Sequence, residues 1–229
     1  KNISDNISLL AVQGPKTNHA LQSLTNINLN EISFYNFKKG VFAGVEDVII
    51  SATGYTGSGG FELYFPNEHA DHIWNSIFDS DKEYGIKPIG LAARDTLRLE
   101  MGYCLYGNDI NDDTSPLEAG LGWITKLKTD DFIGKDQILN LKERGVEKKL
   151  IGIEALERGA IPRKDYEVYS IDGEKIGVVT SGTLSPSLKK PIGLAYIKKP
   201  FSEIGTEVLL RIRNKDKKAI ISSIPFYKT

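Results

Sequence analysis

The chain has 229 residues, with 29 lysines and arginines against 30 aspartates and glutamates and a formal net charge of −1. That balance gives no electrostatic case for nucleic acid or an anionic membrane as the main partner, and no apolar run approaches the ~20 residues that span a bilayer. Hydrophobic residues make up 40% of the chain, enough for one large domain or a few small ones, and Cys104, the single cysteine, excludes an intrachain disulfide and is compatible with a reducing compartment. Lys1 is not an initiator methionine, so the sequence reads as a fragment or a processed product whose targeting signal, if any, is gone.

Ile7, Leu9, Leu10 and Val12 read as a strand that ends at Gln13-Gly14-Pro15, and Asn18 to Leu24 as a short amphipathic helix. Phe34 to Val45 and Val48 to Ile50 are the next strands. Ser51 to Tyr64 then places Gly54, Gly57, Gly59 and Gly60 between two apolar runs, and Phe61, Leu63 and Phe65 alternate with Glu62 and Tyr64. A glycine-rich strand-to-strand hairpin follows, in which a flat ligand can approach the main chain with Glu62 beside it. A phosphate cradle would need a Lys-Ser/Thr pair and a helix after the last glycine, and neither is present. Pro66 stops the strand, and Asn67 is placed to cap a helix with the stripe Ala70, Ile73, Trp74, Ile77 and Phe78. The spacing of His69 and His72 suits one helix face, but with no cysteine or third histidine beside them a solvated face accounts for both and no metal is expected.

Gly90 to Met101 reads as a helix with the buried stripe Ala93, Leu97 and Met101, and with Arg94 and Arg98 four apart, either solvated or holding a polar ligand. Asp95 and Glu100 are available to neutralise them. Gly102 to Pro116 is a loop whose Asp109, Asp112 and Asp113 miss the calcium-loop spacing and read as turn and cap residues. Leu117 to Trp123 and a helix at Lys135 to Lys142 follow. The character changes around Glu143 to Lys149, after which short strands are expected at 150–155, 167–171, 176–181, 192–197, 208–212 and 219–224. A two-residue hairpin signal stands at Asp172-Gly173 and a turn at Asn214 to Lys217. The division is into an α+β region at 1–147 and a small β-barrel or sandwich at 148–229.

Four ordered blocks, ATGYTGSGGFEL at 52–63, GLAARDTLRLEMGYCLYGNDI at 90–110, SPLEAGLGW at 115–123 and TSGTLSPSLKKPIGLAYI at 180–197, together with the ending IPFYKT, resemble the glycine-cleavage T-protein family. The resemblance covers essentially the whole chain. It implies a ferredoxin-like, mixed α+β layer of the clover-leaf T-protein fold followed by a small C-terminal β-barrel. It also implies an aminomethyltransferase that passes the carbon of an aminomethyl group on the lipoyl arm of H-protein to tetrahydrofolate and releases ammonia. Tetrahydrofolate and lipoylated H-protein are the implied partners, without metal, nucleic acid or membrane. The implied location is cytoplasmic, or the mitochondrial matrix for a eukaryotic source.

Residue by residue, the family's pterin-reading glutamate maps onto Glu62, its folate-contacting arginine onto Arg94, and its C-terminal tyrosine onto Tyr227, with Phe226 one register step away. Tyr55 and Tyr103 are pocket walls or core aromatics. The family's catalytic aspartate precedes the segment matched here, so the catalytic residue is unknown and no position takes that role, Asp95 and Asp109 included. The expectation is therefore a chain that is inactive alone, and either another chain covers the apolar face left open, self-association being one such case, or these residues pack differently from the intact protein. The alternative within the superfamily is a folate-dependent demethylase or a folate-binding domain, and an iron–sulfur assembly factor is disfavoured because MGYCLYGND lacks the lysine and glutamate of a KGCYxGQE block.

Overall fold

In the computed structural model the described residues are 1–80 and 83–228, so Thr229, the last residue of the IPFYKT ending, lies outside them. The chain divides into two compact units, 1–94 and 95–228. In the first, β1 (Ile7–Gln13), β2 (Phe37–Phe42), β3 (Val45–Ser51) and β4 (Gly60–Pro66) form an antiparallel sheet in the order β1-β4-β3-β2. Period-two alternation sets which face is covered. In β4, Phe61, Leu63 and Phe65 are buried while Glu62 and Tyr64 point the other way. The buried set packs with Val48, Ile50, Leu21 of helix α1 (Thr17–Leu21), and Ile73 and Ile77 of helix α2 (Ala70–Asp79). Each of these large side chains contributes roughly 1.5–3 kcal/mol of burial.

Three local expectations are corrected. The strand expected from Phe34 to Val45 is interrupted, because Ala43 and Gly44 take positive φ of 49° and 79° and form a two-residue hairpin turn between Phe42 and Val45. Asn67 does not cap α2; its side chain instead donates to the Asp5 carbonyl at 2.7 Å and accepts from Ser8 Oγ at 2.8 Å, tying β4's end to β1's start. Trp74 is 42% exposed and meets the Phe78 ring in a tilted contact with centroids 5.0 Å apart, so the buried stripe of α2 narrows to Ile73 and Ile77.

Helix α3 (Leu91–Glu100) is followed by turns and then by α4 (Lys135–Arg144). The remaining strands, β5 (Lys148–Ala155), β6 (Glu167–Tyr169), β7 (Lys175–Ser185), β8 (Lys190–Lys198), β9 (Glu207–Ile212) and β10 (Lys215–Ser222), close into an antiparallel barrel ordered β10-β5-β8-β7-β6-β9. Closure leaves the sheet no unpaired edge. Its interior is Ile153, Val168, Ile176, Val179, Ala195, Ile197, Val208, Leu210 and Ile221. The β9–β10 turn is tighter than expected: Arg213 and Asn214, at φ 49° and 61°, alone connect the paired Ile212 and Lys215.

Candidate functional site

In the first unit the glycine hairpin joins β3 to β4 and Glu62 lies on the sheet face opposite the core. Register sets its neighbours: Glu62 is flanked by Ala11 of β1 and Ser51 of β3, and Ser51 in turn by Phe37 of β2. The next row is Leu9, Tyr64, Ile49 and Lys39. One carboxylate therefore sits on a largely apolar floor. Its Oε2 accepts from Thr53 Oγ1 at 2.5 Å and from the Tyr64 hydroxyl at 3.4 Å. Burial, together with the Glu62 charge, raises the Tyr64 pKa, so its hydroxyl keeps its proton as the donor of that pair. Among the described residues both contacts fall on Oε2, which leaves the Oε1 edge available to donors from a ligand.

The glycines of the hairpin serve the chain first. Gly60, at φ 122°, lies so close to β1 that a Cβ there would stand 2.3 Å from the Val12 carbonyl. A Cβ on Gly54 would stand 1.8 Å from Gln13 Oε1, because the Gln13 amide folds into the hairpin and donates to the Thr53 and Phe61 carbonyls at 3.2 and 3.3 Å. Close approach was expected from a ligand; at these two positions it comes from β1. Gln13 is the residue sequence reasoning missed, and its only signal was a polar residue ending an apolar strand. Beyond the hairpin, Arg94 sets its guanidinium 4.6 Å from the centre of the Tyr55 ring, a cation–π contact worth about 0.5–1 kcal/mol at an exposed site.

The second unit holds a buried polar network where a helix stripe of Ala93, Leu97 and Met101 was expected. Ala93 is exposed, and the buried residues of α3 are Arg98, Leu99 and Glu100. Arg98 is fully buried: it contacts Asp95 at 2.6 Å and Asp109 at 2.6 Å, and donates to the Tyr103 carbonyl and to Ser181 Oγ, each at 2.9 Å. Of the two acids offered as local partners, Asp95 pairs with Arg98, whereas Glu100 turns to serines. Asp109, expected to be a turn residue, is fully buried and also accepts from the Leu105 amide at 2.9 Å and from Thr180 Oγ1. Burial on its own would lower the Arg98 pKa; the charges of Asp109 and Asp95 outweigh it and the net shift is upward, so the guanidinium stays charged.

Cys104 lies beside this network. Burial, with the Asp109 charge adding to it, pushes its thiol up to about 11. Since the thiolate is the reactive form, Cys104 is expected to alkylate at pH 8 roughly two orders of magnitude more slowly in the folded protein than an ordinary thiol. Timed iodoacetamide labelling read by mass spectrometry checks this, and labelling at the rate of a free thiol would contradict it.

The structure thus places Glu62, Tyr55 and Arg94 in the first unit, with Arg94 brought onto Tyr55, and places Tyr103 and Tyr227 in the second. Tyr103 is 37% exposed, with its carbonyl held by Arg98, and Tyr227 is 40% exposed. The Phe226 ring packs against the cluster of Leu99, Leu150, Ile192 and Leu194, so of the two adjacent aromatics Tyr227 is the outward one. Among the described residues no group of three or more His, Cys, Asp or Glu side chains is arranged to hold a metal, and no helix is long and apolar enough to cross a membrane. His72 Nε2 lies 2.7 Å from the Ala43 carbonyl.

Comparison with known proteins gives these features a family. An aminomethyltransferase of Flavobacterium psychrophilum is 58% identical over 228 residues, and one of Bacteroides fragilis 55% identical over 229, each match covering 100% of this chain and 63% of the relative. The chain thus spans about two thirds of the length of these curated relatives. The crystal structure of the glycine cleavage system aminomethyltransferase T from Bartonella henselae superposes with a TM-score of 0.87 at 32% identity, covering 96% of this chain and 60% of that one. The family model described as the GCVT N-terminal domain matches residues 1–129, and the one described as the glycine cleavage T-protein C-terminal barrel domain matches 148–228. With an α+β unit, a closed six-stranded barrel and both family models matched in order, the chain belongs to the glycine cleavage T-protein family.

Proposed function

We propose that this chain carries the tetrahydrofolate-binding surface of a glycine cleavage aminomethyltransferase, with Glu62 as the residue that reads the pterin edge. The observation that carries the reading is the carboxylate of Glu62, fixed through Oε2 by Thr53 and Tyr64 on an apolar sheet face with its Oε1 edge available. A pterin presents a ring N–H beside an exocyclic NH₂, a donor pair that suits the two oxygens of one carboxylate, and its flat ring suits an apolar floor. The residues present therefore fit the group. Arg94, with its guanidinium 4.6 Å from the centre of the Tyr55 ring, is the proposed second contact, and Tyr103 and Tyr227 are proposed as tetrahydrofolate contacts on the family resemblance alone. Tetrahydrofolate, when bound, accepts the one-carbon unit. The chain's own part is to orient the ring and to keep the Glu62 carboxylate aimed through Thr53 and Tyr64.

The relatives named aminomethyltransferase support the transferase reading; lipoylated H-protein as the donor and a cytoplasmic setting are parts of the same proposal. A functional division into a folate-binding region at 1–147 and a barrel at 148–229 belongs to the same proposal. Glu62→Ala is expected to weaken tetrahydrofolate binding by about 1.5–3 kcal/mol, the scale of a charged hydrogen bond. The check is equilibrium titration of the substituted and unsubstituted chains under anaerobic conditions. Equal affinities would remove Glu62 from the site.

A further inference from the structure

Glu100 ends α3 and is 2% exposed. Its carboxylate faces the turn after β7: Oε1 accepts from Ser185 Oγ at 2.5 Å and from the Ser187 amide at 3.3 Å, and Oε2 from Ser187 Oγ at 2.9 Å. Its main-chain carbonyl, one of the helix-end acceptors that no helical amide reaches, takes two donors from the C-terminal tail, the amides of Phe226 and Tyr227 at 2.9 and 3.0 Å. One residue therefore clamps two segments far apart in sequence. The seat continues on either side of the clamp. Leu188, just past the serine turn, packs in the same cluster as Phe226, and Ile224 lies so close to Gly102 that a Cβ there would stand 2.7 Å away. The backbone from Ile224 up to the Tyr227 amide is thus held while the Tyr227 ring stays 40% exposed.

We propose that Glu100 is a positioning residue for Tyr227: its carboxylate locks the end of α3 against the Ser185–Ser187 turn, and its carbonyl then holds the tail so that the tyrosine ring is presented to the ligand. The proposal rests on the reading of Tyr227 as a tetrahydrofolate contact. Two readouts separate the clamp from that reading. Hydrogen exchange of the Phe226 and Tyr227 amides, followed by NMR without ligand, is expected to accelerate about tenfold in Glu100→Ala and to stay near the original rate in Glu100→Gln, which keeps the reach and an acceptor for Ser185. Tetrahydrofolate affinity is expected to fall about tenfold in Glu100→Ala, to recover in Glu100→Gln, and to show no further loss when Glu100→Ala is added to Tyr227→Ala.

Unchanged tail exchange in Glu100→Ala would overturn the proposal. So would an equal loss of affinity with and without Tyr227, which would mark Glu100 as a general support. No binding by the unsubstituted chain, or no effect of Tyr227→Ala, would overturn the ligand reading and the functional half of the proposal with it, while the exchange rates report separately on the clamp. Where Glu100→Ala does not fold, the pair Ser185→Ala and Ser187→Ala removes the two hydroxyl hydrogen bonds from the barrel side and leaves only the Ser187 amide on the carboxylate, with the same direction of change expected in both readouts.

Discussion

Arg98→Met is expected to destabilise the second unit by about 3–5 kcal/mol, the cost of leaving one member of a buried ion pair without its partner. Methionine fills much of the space but leaves the fully buried Asp109 carboxylate without the guanidinium that contacts it at 2.6 Å, and the Tyr103 carbonyl and Ser181 lose their shared partner. Asp109→Asn should cost less, because an amide oxygen can still accept from the Leu105 amide. Removing both charges at once should cost less than the sum of the single changes, since no buried charge is then stranded and Asp95, the remaining partner, is 53% exposed. Urea unfolding followed by circular dichroism measures all three, and a loss below about 1 kcal/mol for Arg98→Met would show that the pair is dispensable.

The second large effect is expected at Gly60. Gly60→Ala asks an L residue to hold φ near 122° and puts its Cβ 2.3 Å from the Val12 carbonyl and 2.8 Å from the Gln13 Cα, both main-chain atoms that no side-chain rotation can move. Backbone strain and overpacking together are expected to cost about 2–4 kcal/mol and to pry β1 away from β4 at the hairpin end. Because Glu62 is only two residues along β4 and pairs with Ala11, the same substitution should weaken ligand binding as well as stability. Gly59→Ala is the control: its φ of 73° is also positive, but nothing stands within 4 Å of its Cβ position, so the cost is limited to the conformational strain of about 1–2 kcal/mol. Equal losses at the two positions would show that the approach of β1 does not matter.

What could be read in the sequence follows from how local each interaction is. The alternation of Phe61, Leu63 and Phe65 with Glu62 and Tyr64 is a property of adjacent residues, and β4 has that burial pattern. The barrel strands, β7 and β8 among them, lie where short apolar runs between turn residues put them. The α3 stripe was misread because burial there is decided by partners far along the chain. Arg98 is satisfied by Asp109 and Ser181, and Glu100 by Ser185 and Ser187, so polar residues occupy the covered face and Ala93 is left outside. Asn67 has the composition of a cap yet bonds to Asp5 and Ser8, which reach it only once β1 and β4 have paired. In the candidate site, Glu62 and Arg94 stood out as residue types within motifs. The roles of Thr53, Tyr64 and Gln13 in holding that hairpin required the register to be known.

Under the proposed function, the outer face of the first unit's sheet is a tetrahydrofolate surface organised by Glu62. Calorimetric titration of the unsubstituted chain with tetrahydrofolate tests it most directly. Saturable binding of one ligand per chain is expected, abolished or sharply weakened in Glu62→Ala while circular dichroism shows the fold intact. Heats no larger than those of dilution, or binding that Glu62→Ala leaves untouched, would contradict it.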